Sequence, residues 1–501
     1  MKKLLNLIAI LLISASISLA QNGTRLIGFD AVTSGRAGTS TGFFDNPSLM
    51  MNNPAGLSFL KSSQIDVSLS MMSPEVYFQN KINNTYGKDN LFPLGCISYT
   101  HKNSNKLTYG VGIFTQGGMG ADFNLKHELY KDQNGSYVEQ PYHSKFAVMQ
   151  GGGSVAYQIN KQWSIGVTAD VVYGQVEFQM PMSMPPSALK GVINPQTGIT
   201  FGDLFGALGE SGGLGYSEVV ASANMSQLKA FGFNGKLGIA YKPNDRFSFG
   251  VNYTLPVNLT YKNGSASMDM TYQMNDAYGK VVSMIMQQNP GMSVDEAQKQ
   301  AMNLFNQMGI DFSKGAKDQY DAQAKFGLPQ SLAAGVYFSP GKKLRLALDG
   351  EWINWKNAFD KMDISLNNGT NPNINKMMGT QGSMAMSFPM NWENTVVLRT
   401  GIEYDVCKKI TARAGYAYGT NPVPATTLFP LFPAIVENHI TAGLSVKVSK
   451  SFVLNAAYEY AFENRQKAAS NSYIANEYDN STSGLENQTF HISFSWLLKK
   501  K

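Results

Sequence analysis

Residues 452–462 read FVLNAAYEYAF and residues 490–498 read FHISFSWLL. On an extended chain successive side chains point to opposite faces. One face of the first run therefore carries Phe452, Leu454, Ala456, Tyr458, Tyr460 and Phe462, and the other Val453, Asn455, Ala457, Glu459 and Ala461. In the second, Phe490, Ile492, Phe494, Trp496 and Leu498 stand against His491, Ser493, Ser495 and Leu497. Residues 439–448 repeat the pattern, with Ile440, Ala442, Leu444, Val446 and Val448 opposite His439, Thr441, Gly443, Ser445 and Lys447. A soluble β-sandwich also alternates, but it does not place Tyr, Phe and Trp so regularly at strand ends. Lipid on one side and a polar interior on the other demand this pattern.

Working outward, fourteen runs have strand character, near 62–72, 91–101, 106–118, 147–158, 162–178, 230–242, 245–262, 326–338, 342–354, 395–406, 409–419, 437–448, 452–462 and 489–498. Their connections alternate. Lys102-Asn103-Ser104-Asn105, Asn160-Lys161, Pro243-Asn244, Pro340-Gly341, Cys407-Lys408 and Ser449-Lys450 are tight turns. The intervening loops run from roughly 17 to about 60 residues, which a compact soluble domain rarely tolerates. Short turns at one end and long loops at the other suit an outer-membrane barrel, and an even strand count returns both termini to the periplasmic side. The expected fold is all-β: a 14-stranded antiparallel transmembrane β-barrel.

Composition agrees. Aromatics make up 11% of the 501 residues (24 Tyr, 28 Phe), only 15% are charged, and there are 48 Gly. Mean hydropathy is −0.19, and beyond the first 20 residues no run of 18 apolar residues exists, which excludes spanning helices. The net charge, 41 − 35 = +6, is too dispersed for nucleic-acid binding.

Residues 1–20 read as a signal peptide: Lys2 and Lys3, an apolar stretch from Leu4 to Leu19, and Ser18-Leu19-Ala20 as the cleavage site. No Cys follows that site, so a lipoprotein is not expected. Residues 21–60 come before every strand and 61–501 form the barrel. Within the first of these, GRAGTSTGFFDNPSLMMNNPAGL (35–57) is rich in Gly, Asn and Pro and has no hydrophobic period. Such a segment has almost no face to bury alone, and is expected as a plug, or hatch, inside the lumen. Cys96 and Cys407 are either free thiols or one disulfide.

Arg345, Asp349, Glu351, Arg399, Glu403 and Arg413 fall on inward faces, since an Arg on the lipid face costs about 2–4 kcal/mol near the midplane. They pair with one another or with the plug, and Arg413 is the one favoured for plug contact. The long loops are partly helical: Leu204, Phe205 and Leu208 have helical spacing, and Ser293 with Glu296 forms a capping box before Met302, Phe305 and Met308. Methionines crowd the same loops, including Met180, Met182, Met184, Met268, Met270 and Met274. Flexible, polarizable Met surfaces accept varied apolar partners, so a ligand groove is expected there. The five His show no metal spacing, and no cofactor or metal is implied. Gly38-Thr39-Ser40-Thr41-Gly42 matches G-x-S-x-G, but lacks the buried strand before it and the helix after it that the catalytic motif needs. An enzyme is not expected.

The chain resembles the long-chain fatty acid outer-membrane transporter (FadL) family, whose relatives also import aromatic hydrocarbons. The likeness rests on Gly35-Arg36-Ala37-Gly38 with Asn53-Pro54-Ala55-Gly56-Leu57, and on Leu328-Pro329-Gln330-Ser331 before Asp349-Gly350-Glu351-Trp352 and Trp355. It rests also on Arg413-Ala414-Gly415-Tyr416-Ala417-Tyr418 before Pro422-Val423-Pro424 and Asn438-His439. Leu228-Lys229 with Phe231-Gly232-Phe233-Asn234 adds to it. The resemblance implies a hatch-closed fourteen-stranded barrel, usually monomeric, with an extracellular groove formed by the third and fourth long loops and a buried pocket. It implies a lateral opening at a kink in the third strand, here Thr115-Gln116-Gly117-Gly118, and paired glycines in a strand mark a bulge or break. It also implies a hatch-to-wall network of Asn53, Pro54, Ala55, Asn394 and Arg413, with Asn394 where relatives carry an Asp. Trp496 is the residue for the barrel-assembly machinery to read, although relatives tend to end on an aromatic and this chain ends on three Lys.

The function expected is passive uptake of a hydrophobic small molecule, a long-chain fatty acid or an aromatic hydrocarbon, released sideways into outer-membrane lipid. Lys190, Lys229 or Lys317 could hold a carboxylate. The alternative is a structural porin or adhesin-type barrel with no hydrophobic ligand.

Overall fold

The computed structural model describes residues 23–103, 106–206 and 213–498; the leader and Leu208 lie outside the described residues. Fourteen antiparallel strands close on themselves. They are β1 (Gln64–Gln79), β2 (Phe92–Lys102), β3 (Leu107–Lys131), β4 (Tyr137–Gln158), β5 (Trp163–Met184) and β6 (Val219–Asn244). Four strands of two segments follow: β7 (Phe247–Thr254 and Val257–Asp269), β8 (Lys317–Leu328 and Ser331–Phe338), β9 (Leu344–Ile353 and Lys361–Asn367) and β10 (Met384–Pro389 and Thr395–Asp405). The last four are β11 (Ile410–Gly419), β12 (Asn438–Lys447), β13 (Phe452–Lys467) and β14 (Thr482–Leu497). Closure comes from β1 pairing with β14 along its whole length, from Gln64 opposite Leu497 to Gln79 opposite Thr482. Among the described residues no helix is long and apolar enough to cross a membrane.

The period of two does what it demands. Along β12 to β14, Ile440, Leu454 and Ile492 are exposed to the lipid side, while Asn455, Glu459 and His491 are buried inside. At the short-turn end, Trp163 packs on Tyr241 at 4.5 Å between ring centres and Phe452 on Trp496 at 5.2 Å, as an interfacial aromatic girdle requires. A tilted strand needs about 9–11 residues to span the bilayer. Strands β3 to β6 run for 25, 22, 22 and 26 residues, so they rise well above it as one continuous panel. Opposite that panel, β7 to β10 all break at about the same height, after Thr254, Leu328, Ile353 and Pro389. Pro256 and Pro329, which have no N–H to give a ladder, sit in two of these breaks. In the third, a short helix, Trp355–Ala358, turns inward and buries Trp355 against Phe359 and Trp392.

Beyond the barrel's upper rim, helices Thr271–Gln288 and Val294–Gln307 pair through Val282, Ile285, Ala297 and Ala301. The second starts where Ser293 caps the Glu296 N–H and Glu296 reaches back to Ser293. Cys96 is buried, Cys407 is exposed, and both are free.

Residues 23–60 occupy the lower lumen. The segment has one four-residue helical turn, Ala31–Ser34, capped by Asp30, and two 3₁₀ turns that begin at Pro47 and Pro54 and are capped by Asn46 and Asn53. Although it has no hydrophobic period, it does bury apolar surface: Leu49, Met50 and Leu57 pack with Phe114 on β3 and Ala240 on β6, and hydrogen bonds to inward faces around the wall add to this hold. The Ala31 N–H donates to Ser493 on β14, the Ala37 N–H to Thr441 on β12, Ser248 on β7 to the Gly42 carbonyl, and Thr168 on β5 to the Met50 carbonyl. The backbone comes close because the wall is glycine where they meet. A methyl group on Gly250 would lie 1.9 Å from the Thr41 carbonyl oxygen, and one on Gly166 would lie 2.4 Å from Ala55 N. Gly166 faces Gly238 across one strand pair and Gly250 faces Gly335 across another.

Candidate functional site

The spaces in the upper barrel begin at a rim of mixed polar and apolar lining. A cavity of about 600 Å³ opens between the upper ends of β5 and β10 and the loop before β14, lined by Met180, Met182, Met184, Met378, Met384 and Met386 beside Lys190 and Glu218. Below it, Phe178 packs between Phe388 and Phe432 at 5.9 and 5.8 Å. Phe432 in turn borders a small void walled by apolar side chains alone, among them Phe146, Phe326, Phe359 and Met390. Phe146 and Met119 are shared with a third space of about 350 Å³ next to residues 23–26. Burying a chain of methylenes along such a wall stabilises it by about 0.8 kcal/mol per CH₂.

The third space lies at a discontinuity in the wall. Strands β2 and β3 pair from Lys102 opposite Thr108 to Cys96 opposite Phe114 and no further. Gln116 is an extra residue in β3, which passes from Thr115 opposite Met149 to Gly117 opposite Val148 on β4. Thr115 fills in with its side chain, its hydroxyl accepting from Gly95 N and donating to Gly95 O. The free edge of β3 above it is taken by the inner segment: Gly118 N donates to Thr24 O at 2.9 Å and Leu26 N to Gln116 O at 3.4 Å. Gly117 is required here, since a methyl group on it would lie 2.0 Å from Thr24 O. The space reaches from the buried Phe146 and Val148 to Met149, which faces lipid.

Charged side chains fasten the inner segment. Asp349 accepts from the N–H groups of Ser40 and Thr41, both at 2.8 Å. Glu351 pairs with Arg25 at 2.8 Å and with Arg399 at 2.9 Å. Glu403 pairs with Arg345 and Arg413, each at 2.5 Å, and with the buried Arg36 at 3.5 Å; Asp45 holds Arg36 from its other side at 2.6 Å.

Of the residues singled out in the sequence, Asn53 donates to Thr41 O and Ile239 O, and so ties the segment to itself and to β6. Pro54 and Ala55 press on Gly166. Arg413 bonds Glu403 and Ser445, both on the wall, and contact with the segment falls instead to Asp349, Glu351 and Glu403. Asn394 is exposed and accepts from the Lys356 N–H, away from this network. Of the loop set, Phe205 stacks on Tyr216 and Phe305 packs on Phe312, both fully buried. Leu204, Met302 and Met308 are half-buried in the same loop packing, and none of these five lines the rim cavity. Helical spacing marks the faces by which these loop helices attach; the rim cavity is lined instead by the ends of β5 and β10, by Met378 and by the loop before β14. The G-x-S-x-G run lies inside the inner segment, where the Ser40 hydroxyl donates to Gly38 O.

The rim carries a buried carboxyl that is expected to make it sensitive to pH. Glu477, in the loop before β14, accepts from the Tyr142 hydroxyl at 2.8 Å. Burial pushes its carboxyl up to about 8, and nearby Glu218 and Glu128 add to the rise. A raised acid lends its full stability below its unfolded value of 4.5, loses it progressively as pH climbs, and has none left above about 8. A spin label at the neighbouring Tyr473 is therefore expected to become more mobile as pH rises from 4.5 to about 8. The same label in Glu477→Gln should show no such change, and identical transitions in both proteins would refute the assignment.

No curated protein matches the chain. The family model described as outer membrane protein transport protein (OMPP1/FadL/TodX) matches residues 12–495. Among solved structures, that of the P. putida toluene transporter TodX is 18% identical with a TM-score of 0.65, covering 95% of this chain and 100% of its own. A Pseudomonas aeruginosa FadL homologue is 16% identical with a TM-score of 0.66, over 95% and 100%. The Ralstonia pickettii toluene transporter TbuX is 17% identical with a TM-score of 0.61, over 95% and 99%.

Proposed function

Because the chain belongs to the OMPP1/FadL/TodX family of outer membrane transport proteins, we propose that it takes up hydrophobic small molecules passively through the spaces of the upper barrel and releases them sideways between β2 and β3. The observation that carries this reading is the succession of a rim cavity, a cluster of apolar rings and two apolar spaces that ends at the break at Gly117. A hydrophobic molecule leaves water at the rim, passes the Phe178–Phe388–Phe432 cluster and reaches the wall cavity. There residues 23–26, hydrogen-bonded to the edge of β3, act as the shutter, and residues 27–60 are the hatch below it. Removal of water drives the whole passage, so no energy source is needed. Two of the similar structures are of toluene transporters, and this extends to the present chain as the class of cargo, aromatic hydrocarbon or long-chain fatty acid. The protein works as a monomer delivered by the barrel-assembly machinery, with Trp496 on its lipid face as the aromatic that machinery reads.

The test is uptake of radiolabelled toluene and of a long-chain fatty acid by intact cells with and without the protein. Accumulation of neither above the protein-free strain would end the reading. A porin is separated from it by conductance. With the lower lumen filled, the protein in a planar bilayer should pass little current. Gly250→Leu, which forces Thr41 and Asn53 away from β7, should raise that current severalfold. A large steady current through the unaltered protein would favour the porin.

A further inference from the structure

The wall has a second discontinuity, on the other edge of the long panel. Strands β6 and β7 pair from Phe247 opposite Asn244 to Thr254 opposite Lys236, and again from Lys262 opposite Lys229. Between these, residues 230–235 of β6 and 255–261 of β7 form no pairs; Leu255 N still donates to Gly235 O. Strand β6 remains fully paired with β5 over the same stretch, and β7 with β8 from Val257 to Tyr261. The opening is thus between two intact edges, as it is between β2 and β3. In hydrocarbon an unpaired strand edge is costly. At the first break, residues 24–26 cover that edge, but at the second side chains do.

Val257, Leu259 and Tyr261 are all buried on the inner side of β7, and the Tyr261 ring reaches across to Gly174 on β5. A methyl group on Gly232 would lie 2.6 Å from Leu259 and 2.9 Å from Val257, so these two side chains rest directly on the β6 backbone. Behind them, Tyr261 stacks on Phe326 at 4.6 Å. Phe326 borders the small void of the route and packs on Phe146, which lines the first wall cavity. One apolar junction therefore adjoins both breaks. The Tyr261 hydroxyl is buried without a hydrogen-bond partner among the described residues, so no bond fixes the ring. Outside the gap stand Phe231 and Phe233, 73% and 81% exposed, the highest values among the large hydrophobic side chains described.

We propose that the gap between β6 and β7 is a second lateral exit for the same hydrophobic cargo, stoppered by Leu259 and Tyr261 rather than by the N-terminal segment. This rests on the uptake reading above. Cargo at Phe326 displaces the Tyr261 ring, passes over Gly232 and Gly235, and enters lipid beside Phe231. Passage involves no covalent step; the side chains that must move aside are Val257 and Leu259 over Gly232 and Leu255 over Gly235.

The test uses the full-length protein in intact cells and the neutral fluorophore N-phenyl-1-naphthylamine. Gly117→Trp blocks the first exit, and it should slow uptake while leaving a clear remainder. Adding Leu259→Ala and Tyr261→Ala should then raise that remainder roughly fivefold, a lowering of the barrier by about 1 kcal/mol. Folding is checked by the altered mobility of unheated protein in gels. A second measurement needs no substitution in the gap: a photoactivated diazirine analogue of toluene should label Leu259 or Tyr261 in the unaltered protein and in Gly117→Trp alike. If Gly117→Trp reduces uptake to the protein-free level and the analogue labels residues 115–120 but never 257–261, the second exit is refuted. If the unaltered protein gives no uptake and neither break is labelled, the uptake reading itself has failed.

Discussion

Glu403→Ala is expected to cost the folded barrel about 3–5 kcal/mol, the usual result of removing one partner from a buried ion pair. Glu403 is buried and its carboxylate serves three arginines. Without it, Arg345 keeps Asp405 and Arg36 keeps Asp45, but Arg413 is left with only the Ser445 hydroxyl. An arginine facing the lumen without its carboxylate carries an uncompensated charge in a water-poor interior. The measurement is the temperature at which unheated folded protein disappears from gels. It should fall markedly in Glu403→Ala and less in Glu403→Gln, which keeps an acceptor. Arg465→Ala at the rim is the contrast. Its partner Glu463 is similarly exposed, and such pairs are worth about 0–1 kcal/mol. Equal behaviour of Glu403→Ala and Arg465→Ala would show that the Glu403 cluster does not hold the barrel together. Because Arg36 belongs to the inner segment, Glu403→Ala should also raise ion conductance.

Gly117→Trp is the second large effect, a fall in hydrophobic uptake of roughly fivefold, again about 1 kcal/mol of added barrier. The indole would occupy the cavity that reaches from Phe146 to Met149. Gly117→Ala separates filling from displacement. Its methyl group also collides with Thr24 O, and so loosens residues 24–26, but it leaves the cavity open. Uptake should therefore hold or rise in Gly117→Ala and fall in Gly117→Trp. If both fall alike, the inner segment's hold on β3 matters and the cavity does not. If neither changes, release between β2 and β3 is wrong.

The wall was legible in the sequence because its signal is local. Phe452 to Phe462 sort into lipid-facing and lumen-facing sets with no knowledge of their neighbours, and the six short turns show which strands run side by side. Asp349, Glu351 and Glu403 were placed inside on the same reasoning, since the cost of charge in lipid depends on which face a residue occupies. Their partners were not legible. Arg413 looked like the residue to meet the inner segment, yet it meets Glu403, while Asp349 takes two backbone N–H groups that carry no side-chain signature. Asn394 stands on an exposed turn beside Lys356. Phe205 and Phe305 showed helical spacing and are spent on loop packing. The glycines of β5 to β8 read in sequence as strand glycines; only the closed barrel puts them against Thr41, Asn53 and Ala55.

By itself the sequence determined that this chain is an all-β outer-membrane barrel, which strands compose it and which side of each faces oil, because a period of two acts residue by residue. Tertiary structure alone decided where strand pairing lapses, which space adjoins Gly117, and that Tyr261 stacks on Phe326 between the small apolar void and a second lapse in pairing. Those features depend on how far one strand's pairing extends along the next. That extent is set by side chains and backbone brought together from segments hundreds of residues apart, and nothing in a single run encodes it.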